Sequence, residues 1–215
     1  MNVKAVVFDL DGTLIDSKKD IAMAANKTLS ELGLHTLPED TIASFIGYGG
    51  ELFIKRCIGE KNIDKFEEAF KKFKENYSEL CIIHTSLFPG VEEVLEFLKK
   101  RKINIALATN KMISLSKKIL KHLEVEKYFS IMLGPEDVTN RKPHPEIIEI
   151  LLQNLNVRPE ETLYVGDSEI DVFCGKSAGV YTCAVTYGIG DIKSIIAADP
   201  DFIITDLTKL IILLS

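Results

Sequence analysis

The feature that most constrains this chain is a short apolar stretch that ends in two acidic residues. Residues 3–8 read Val-Lys-Ala-Val-Val-Phe, and Asp9, Leu10, Asp11 and Gly12 follow at once. An apolar, β-branched run without polar alternation predicts a strand buried on both faces, as in a parallel sheet. Ligands bind to such sheets beyond the carboxyl ends of the strands. Both aspartates are therefore expected at a binding site.

The spacing of these two aspartates adds a chemical constraint. Side chains two residues apart in a strand point the same way, so Asp9 and Asp11 should share one small volume unless the chain has already turned. Carboxylates that close repel, and the pKa of each rises unless a cation or a proton lies between them. The pair predicts a bound metal, a shared proton or both. The alternative is an ordinary turn, because Asp-Gly after a strand is a common hairpin signal.

The rest of the chain divides into a helical segment and an alternating segment. Between about residues 17 and 84 the apolar residues recur at helical spacing, including a long helix at about 63–83, and no strand signal occurs. Beyond this segment, strands are predicted at 103–108, 130–133, 162–165, 180–186 and 202–205, with helices at 91–101, 113–123, 145–155 and 170–178. Alternating strands and helices predict an α/β fold with a doubly wound, Rossmann-like parallel sheet. We expect a core domain at 1–16 and 85–215 and an inserted all-helical cap domain at 17–84.

Composition limits the classes of partner. The 215 residues are 46% hydrophobic and 27% charged, which is enough apolar material for a sizeable core. A formal net charge of −6 argues against nucleic acid as a partner. The four cysteines form no C-x-x-C pair, and the longest apolar runs are far too short to span a membrane. We expect a cytoplasmic protein without a membrane partner, either a monomer or a homodimer.

Polar residues recur where the predicted strands end. Thr109 and Asn110 follow one strand, Asp167 follows another with Asp171 four positions on, and Lys142 precedes a predicted helix. Taken singly, these residues could be helix N-caps or a solvated surface charge. Taken together, a hydroxyl, an amide, an amine and carboxylates at neighbouring strand ends predict a phosphate pocket beside a metal.

These residues carry a resemblance to a known superfamily. Residues 9–13 (Asp-Leu-Asp-Gly-Thr), 109–110 (Thr-Asn), 142–143 (Lys-Pro) and 166–171 (Gly-Asp-Ser-Glu-Ile-Asp) resemble, in this order, the four motifs of the haloacid dehalogenase superfamily. The resemblance covers essentially the whole chain. Within the superfamily, the first motif together with an Ile-Gly-x-Gly element at 46–49 is similar to the phosphoglycolate phosphatase branch.

The resemblance implies catalytic roles for the two acids of the first motif. Asp9 would be the nucleophile that forms an aspartyl-phosphate, which splits the reaction into two displacements. Asp11 would protonate the leaving oxygen and then take a proton from the hydrolytic water. Mg²⁺ would be held by Asp9, by the backbone carbonyl of Asp11 and by Asp167.

The remaining motif residues would surround the phosphoryl group. By the same resemblance, Asp171 would hold a metal-bound water, while Thr109 and Asn110 would donate hydrogen bonds to phosphoryl oxygens. Lys142 would offset the charge on the nucleophile and on the transferring group.

One loop of the helical segment is a candidate for contact with substrate. Gly47, Tyr48 and Gly49 interrupt two predicted helices and could form a specificity loop, the alternative being a flexible break. Lys55 and Arg56 lie just beyond it and could meet a substrate carboxylate.

The resulting hypothesis is a Mg²⁺-dependent phosphatase for a small phosphorylated metabolite, with 2-phosphoglycolate as the first candidate. A pyrophosphatase, a broad sugar-phosphate phosphatase and a phosphomutase are the alternatives among enzymes. A non-enzymatic phospho-accepting regulatory module also combines acids, Thr and Lys with Mg²⁺. The order of the four motifs and the long helical insertion argue against that module.

Overall fold

The fold is built on a six-stranded parallel sheet. The computed structural model describes residues 2–215. The strands are β1 (Ala5–Phe8), β2 (Ile15–Asp16), β3 (Ser86–Leu87), β4 (Asn104–Ala108), β5 (Ile131–Leu133), β6 (Thr162–Gly166), β7 (Tyr181–Val185) and β8 (Phe202–Ile204). The large sheet has the order β5-β4-β1-β6-β7-β8, and every pair in it is parallel. The first strand of the chain therefore lies in the middle of the sheet.

Helices cover the sheet and fill the segment between β2 and β3. They are α1 (Lys18–Glu31), α2 (Glu39–Ala43), α3 (Gly50–Ile58), α4 (Phe66–Leu80), α5 (Val91–Lys100), α6 (Ile113–His122), α7 (Glu146–Leu155), α8 (Glu169–Ser177), α9 (Ile192–Ala197) and α10 (Lys209–Leu214). Helices α1 to α4 pack against one another through buried apolar side chains. None of the helices in the described part of the chain is long and apolar enough to cross a membrane.

The central strand explains why its sequence does not alternate. All four residues of β1 are buried. Val6 and Phe8 belong to one apolar cluster, whereas Val7 belongs to another with Tyr164. Because successive side chains of a strand point to opposite faces, both faces of β1 must be apolar.

The α/β fold class and the parallel sheet predicted from the sequence are confirmed. The long helix predicted at about 63–83 is present as α4, but it begins only at Phe66, after the 3₁₀ helix Glu60–Lys65, and it ends at Leu80. Asn62 has a non-helical backbone, with φ −118° and ψ 23°, which interrupts the 3₁₀ segment itself.

Four further elements, two strands and two helices, had no prediction. Strands β2 and β3 form a two-residue antiparallel pair where the helical segment leaves and rejoins the sheet. Helices α9 and α10 have six residues each and follow β7 and β8. Elements this short carry too few residues for periodicity to reveal them.

Candidate active site

The carboxyl ends of three neighbouring strands bring the candidate residues together. Asp9 follows β1, Thr109 follows β4 and Asp167 follows β6. Because β1 lies between β4 and β6 and is parallel to both, the three strand ends meet at one edge of the sheet. Lys142 reaches this edge from the loop before α7, and Asp171 reaches it from the first turn of α8.

One cavity of about 510 Å³ joins the sheet edge to the helical segment above it. Ten of the twelve candidate residues from the sequence line it: Asp9, Asp11, Gly47, Tyr48, Gly49, Thr109, Asn110, Lys142, Asp167 and Asp171. Apolar side chains of α3 and α4, among them Phe53 and Phe73, line its other side. The cavity is therefore acidic at the sheet and apolar towards the helices.

Lys142 is the hub of the buried polar network. Its side chain is 2% exposed. Nζ contacts four acceptors: Asp9 Oδ1 at 2.7 Å, Asp171 Oδ1 at 2.7 Å, the Tyr164 hydroxyl at 2.8 Å and the Ala108 carbonyl at 3.0 Å. The Tyr164 hydroxyl in turn donates to Asp171 Oδ1 at 2.8 Å. An ammonium with so many fixed acceptors holds the Asp9 carboxylate in one orientation.

Asp167 is held by backbone groups instead of a cation. Its Oδ2 accepts from the N–H of Ile189 at 2.7 Å and from that of Gly190 at 3.1 Å. Gly12 lies against this carboxylate with φ +85°, and a Cβ placed there would be 2.1 Å from Oδ2. Only glycine fits at this position, because any side chain would displace Asp167.

Three buried acids form a group that suits a divalent cation. Oxygen atoms of Asp9, Asp167 and Asp171 all lie within 4.8 Å of one another. Burial raises the pKa of Asp9 to about 7 even though Lys142 opposes it. Burial and the neighbouring charges of Asp171 and Asp9 raise the pKa of Asp167 to about 8. Lys142 Nζ contacts only Asp9 and Asp171 of these three carboxylates. One ammonium is too little positive charge for the group, so the oxygen atoms present fit a hard cation that prefers oxygen ligands.

Asp171 differs from its two neighbours. Burial would raise its pKa, but the charge and hydrogen bond of Lys142 hold the pKa below its usual value. Its second oxygen accepts from the Ser168 hydroxyl at 2.6 Å and from the Ser168 N–H at 3.2 Å. Both oxygens of Asp171 are therefore already engaged by protein groups.

The Asp11 carboxylate has its own cation. Lys111 Nζ donates to its two oxygens at 2.7 and 2.9 Å, and the Ser17 hydroxyl donates to Oδ1 at 2.5 Å. The positive charge beside Asp11 is thus a lysine that the sequence analysis did not select. Its position directly after Asn110 in the Thr-Asn motif was the signal available.

Thr109 and Asn110 are both buried and both already have partners. The Thr109 hydroxyl oxygen accepts from the Lys111 N–H at 3.1 Å. The Asn110 side-chain amide donates to the carbonyl of Gly47 at 2.9 Å and to that of Lys142 at 3.2 Å. Asn110 therefore ties the loop of the helical segment to the sheet edge.

Two more contacts, one from this loop and one from α3, join the helical segment to residues near the sheet edge. The Tyr48 hydroxyl donates to Glu169 Oε1 at 2.7 Å. Arg141 Nη2 lies 2.9 Å from Glu51 Oε1 at the start of α3. The helical segment consequently covers the acids, and the Gly47–Gly49 loop lies against the cavity mouth.

Lys55 and Arg56 lie away from the acids. Lys55 Nζ lies 4.7 Å from the centroid of the Phe66 ring, and the Arg56 guanidinium lies 4.6 Å from that of Tyr48. Neither residue lines the cavity.

Sequence reasoning also missed Tyr164, because a tyrosine inside a buried strand gives no sign of a polar role.

Comparison with known proteins places this geometry in a family. Residues 6–185 match the family model described as haloacid dehalogenase-like hydrolase. The match covers every strand of the large sheet except β8, and it spans all four motifs.

This chain belongs to the haloacid dehalogenase-like hydrolase family. The superfamily resemblance drawn from the motifs is confirmed, and membership makes the chain a hydrolase. Phosphoglycolate phosphatase of Aquifex aeolicus is 37% identical over 211 residues, covering 97% of this chain and 96% of the relative. Phosphoglycolate phosphatase of Salmonella typhimurium is 33% identical, covering 94% of this chain and 88% of the relative.

Solved structures of family members share the whole fold. A predicted phosphoglycolate phosphatase from Haemophilus somnus has a TM-score of 0.94 and 31% identity, covering 100% of this chain and 99% of that one. A haloacid dehalogenase-like family hydrolase from Streptococcus pneumoniae has a TM-score of 0.89 and 27% identity, with coverages of 100% and 99%. The structural similarity therefore includes the helical segment between β2 and β3 as well as the sheet.

Proposed function

We propose that this family member is a Mg²⁺-dependent phosphatase that hydrolyses a small phosphorylated metabolite through an aspartyl-phosphate on Asp9. The first candidate substrate is 2-phosphoglycolate, because curated relatives that cover nearly the whole chain bear the name phosphoglycolate phosphatase. The observation that carries the proposal is the group of Asp9, Asp167 and Asp171, of which Lys142 contacts the first and the third, with Asp11 in the same cavity.

The proposed nucleophile is Asp9. Lys142 occupies its Oδ1, and within residues 2–215 its Oδ2 accepts no hydrogen bond. A carboxylate oxygen attacks phosphorus, and the P–O bond to the organic group breaks as Asp11 gives a proton to the leaving oxygen. Water then attacks the aspartyl-phosphate, Asp11 takes its proton, and inorganic phosphate and the Asp9 carboxylate result.

The donor set supports Mg²⁺ beside the nucleophile. Asp9, Asp167 and the backbone carbonyl of Asp11 would hold it. When bound, Mg²⁺ would neutralise charge on the phosphoryl group as it transfers. Asp171, whose two oxygens already accept from Lys142, Tyr164 and Ser168, would hold a metal-bound water.

We also propose that residues 1–16 and 85–215 form the catalytic core and that residues 17–84 form a cap.

Thr109 and Asn110 would bind phosphoryl oxygens. Because the Asn110 amide donates to the Gly47 carbonyl in the closed arrangement, substrate would have to compete for that amide. Phosphoryl binding would thus be coupled to the loop at the mouth of the site, and closure would exclude water.

A panel of phosphorylated metabolites tests the function. Phosphate release with Mg²⁺ would be measured for 2-phosphoglycolate, hexose phosphates and pyrophosphate. We expect the highest kcat/KM with 2-phosphoglycolate. A preference for pyrophosphate or sugar phosphates would replace the substrate assignment, and a single phosphorylation per molecule without turnover would reject the phosphatase.

Removal of divalent metal should abolish turnover. EDTA leaves the acids without their cation, and excess Mg²⁺ should restore the full rate. Ca²⁺ should fail to restore it, because its longer bonds and looser coordination would misplace the nucleophile. The measurement is the rate of phosphate release after dialysis against each ion, and full activity with Ca²⁺ alone would contradict the prediction.

Tyr48→Ala should change the ranking of substrates more than the rate on a small synthetic ester. The ring lies at the cavity mouth, while its hydroxyl bonds Glu169 outside the acid group. Tyr48→Phe is the matched control, since it removes only that exposed hydrogen bond. The measurement is kcat/KM across the metabolite panel and with p-nitrophenyl phosphate. An unchanged ranking in Tyr48→Ala would mean that the loop only connects two helices.

A further inference from the structure

A second cationic feature lies in the cavity, apart from Lys142. Lys111 is 6% exposed, and its Nζ donates to both oxygens of Asp11. The same Nζ lies 4.6 Å from the centroid of the Tyr77 ring on α4. An ammonium has three N–H donors, and the described residues supply hydrogen-bond acceptors for Lys111 Nζ only from Asp11. One charged donor is left for a ligand.

The Tyr77 hydroxyl is the second observation. Its residue is 3% exposed and lines the cavity. Within residues 2–215 this oxygen is the single buried side-chain polar atom without a hydrogen-bond partner. Burial and the nearby Asp11 charge raise the pKa of Tyr77 well above its usual value, although the neighbouring Ser17 hydroxyl opposes this rise, so the Tyr77 hydroxyl keeps its proton. A buried donor left unsatisfied costs stability, and a ligand acceptor would remove that cost.

We propose that Lys111 and Tyr77 form a subsite for a carboxylate on the organic part of the substrate. The proposal rests on the proposed phosphatase function and deepens it by assigning the two residues that would select a phosphate ester with a carboxylate over one without it. A carboxylate has two acceptor oxygens, which can take one hydrogen bond from the ammonium and one from the phenol.

The other cations of the cavity are less suited to this role. Lys142 is engaged by the nucleophile and by Asp171. Arg141 pairs with Glu51, and its side chain is 38% exposed. Lys111 is buried against the apolar side of the cavity, where exclusion of water strengthens a contact between opposite charges.

The two halves of the subsite come from different parts of the chain. Lys111 follows β4 at the sheet edge, whereas Tyr77 belongs to α4 of the helical segment. The subsite is complete only when that segment covers the sheet edge. A carboxylate bound there would therefore favour the covered arrangement over an open one.

The test compares two esters that differ in the carboxylate alone. Wild type and Lys111→Met would be assayed with 2-phosphoglycolate and with 2-hydroxyethyl phosphate. We expect the ratio of kcat/KM for the two substrates to fall by about 30-fold in Lys111→Met, mainly through KM, as for loss of a charge-assisted hydrogen bond. Tyr77→Phe should lower the ratio by about 5-fold. Lys117→Met removes an equal charge from an exposed position of α6 and should leave the ratio unchanged.

Binding without turnover gives an independent readout. Calorimetry with Mg²⁺ present would compare 3-phosphonopropionate with propylphosphonate. Wild type should bind the carboxylated compound at least about 10-fold more tightly, and Lys111→Met should erase most of that preference. Equal losses on both substrates in Lys111→Met, or no preference in wild type, would overturn the subsite. Wild type that hydrolyses neither ester but does hydrolyse another phosphorylated metabolite would also overturn the subsite, whereas wild type that releases no phosphate from any compound of the panel would overturn the phosphatase function.

Discussion

Asp9→Asn should lower the rate of phosphate release by about 10⁴-fold or more, as expected when an attacking group is removed. The neutral amide cannot displace the organic group from phosphorus. Lys142 and the Asp167 carboxylate would remain in place to bind the phosphoryl group and the metal. The measurement is the initial rate with Mg²⁺ on 2-phosphoglycolate and on p-nitrophenyl phosphate. Residual activity above about 1% of wild type would exclude Asp9 as the nucleophile.

The same variant should fold normally. Burial and the charge of Asp171 both oppose ionisation of Asp9, so a neutral side chain removes an unfavourable charge from the acid group. Without metal, we expect a melting temperature equal to or above that of wild type. Asp40→Asn, at an exposed position of α2, is the matched control and should leave both rate and melting temperature unchanged. A large drop in melting temperature for Asp9→Asn would contradict this account of the charges.

Lys142→Met should lower the free energy of unfolding by about 3–5 kcal/mol, the cost of removing one partner from a buried ion pair. The methionine fills a similar volume, but Asp9 and Asp171 lose the ammonium that contacts both at 2.7 Å. Turnover should also fall steeply, because the nucleophile is no longer held. Denaturant unfolding of the metal-free protein measures the first effect. Lys176→Met, which breaks the exposed pair with Asp199, is the control and should cost less than about 1 kcal/mol.

The pH dependence of that loss has a definite sign. In wild type, Lys142 overcomes the effect of burial and holds the pKa of Asp171 low, so this acid adds stability above its ordinary pKa. In Lys142→Met the same acid is buried without its cation, and its folded pKa should rise above the unfolded value. Stability of the variant then falls as pH rises through that interval. The deficit should be larger near pH 8 than near pH 5, and a deficit that grows towards acid would refute the argument.

The sheet edge was predictable because each of its parts is a local pattern. An apolar run identifies a buried strand, and the residue after it lies at the strand's carboxyl end. Asp9, Thr109 and Asp167 could therefore be assigned to one edge once the alternation of strands and helices predicted a parallel sheet. The motif resemblance supplied the same residues independently.

The contacts across the cavity were not predictable in this way. Asp11 was expected to share a metal or a proton with Asp9, yet its carboxylate meets Lys111 from the loop after β4. Asn110 was expected at the phosphoryl group, yet its amide donates to Gly47 of the helical segment. Each contact joins residues 60 or more positions apart, and nothing in the local pattern specifies such a partner.

By itself, the sequence determined the parallel sheet, the helical insertion and the line of polar residues at the strand ends, since periodicity and turn chemistry act within a few residues. The tertiary structure alone decided which lysine pairs with which aspartate. From the sequence, Lys142 could have been a solvated surface lysine. Lys111, which directly follows the Thr-Asn motif, is chemically the same side chain, so the sequence does not show which lysine pairs with which acid. Only packing placed the first among Asp9, Asp171 and Tyr164 and the second against Asp11. The role of a charged side chain depends on the groups that surround it, and in a folded chain those groups come from residues that are distant in sequence.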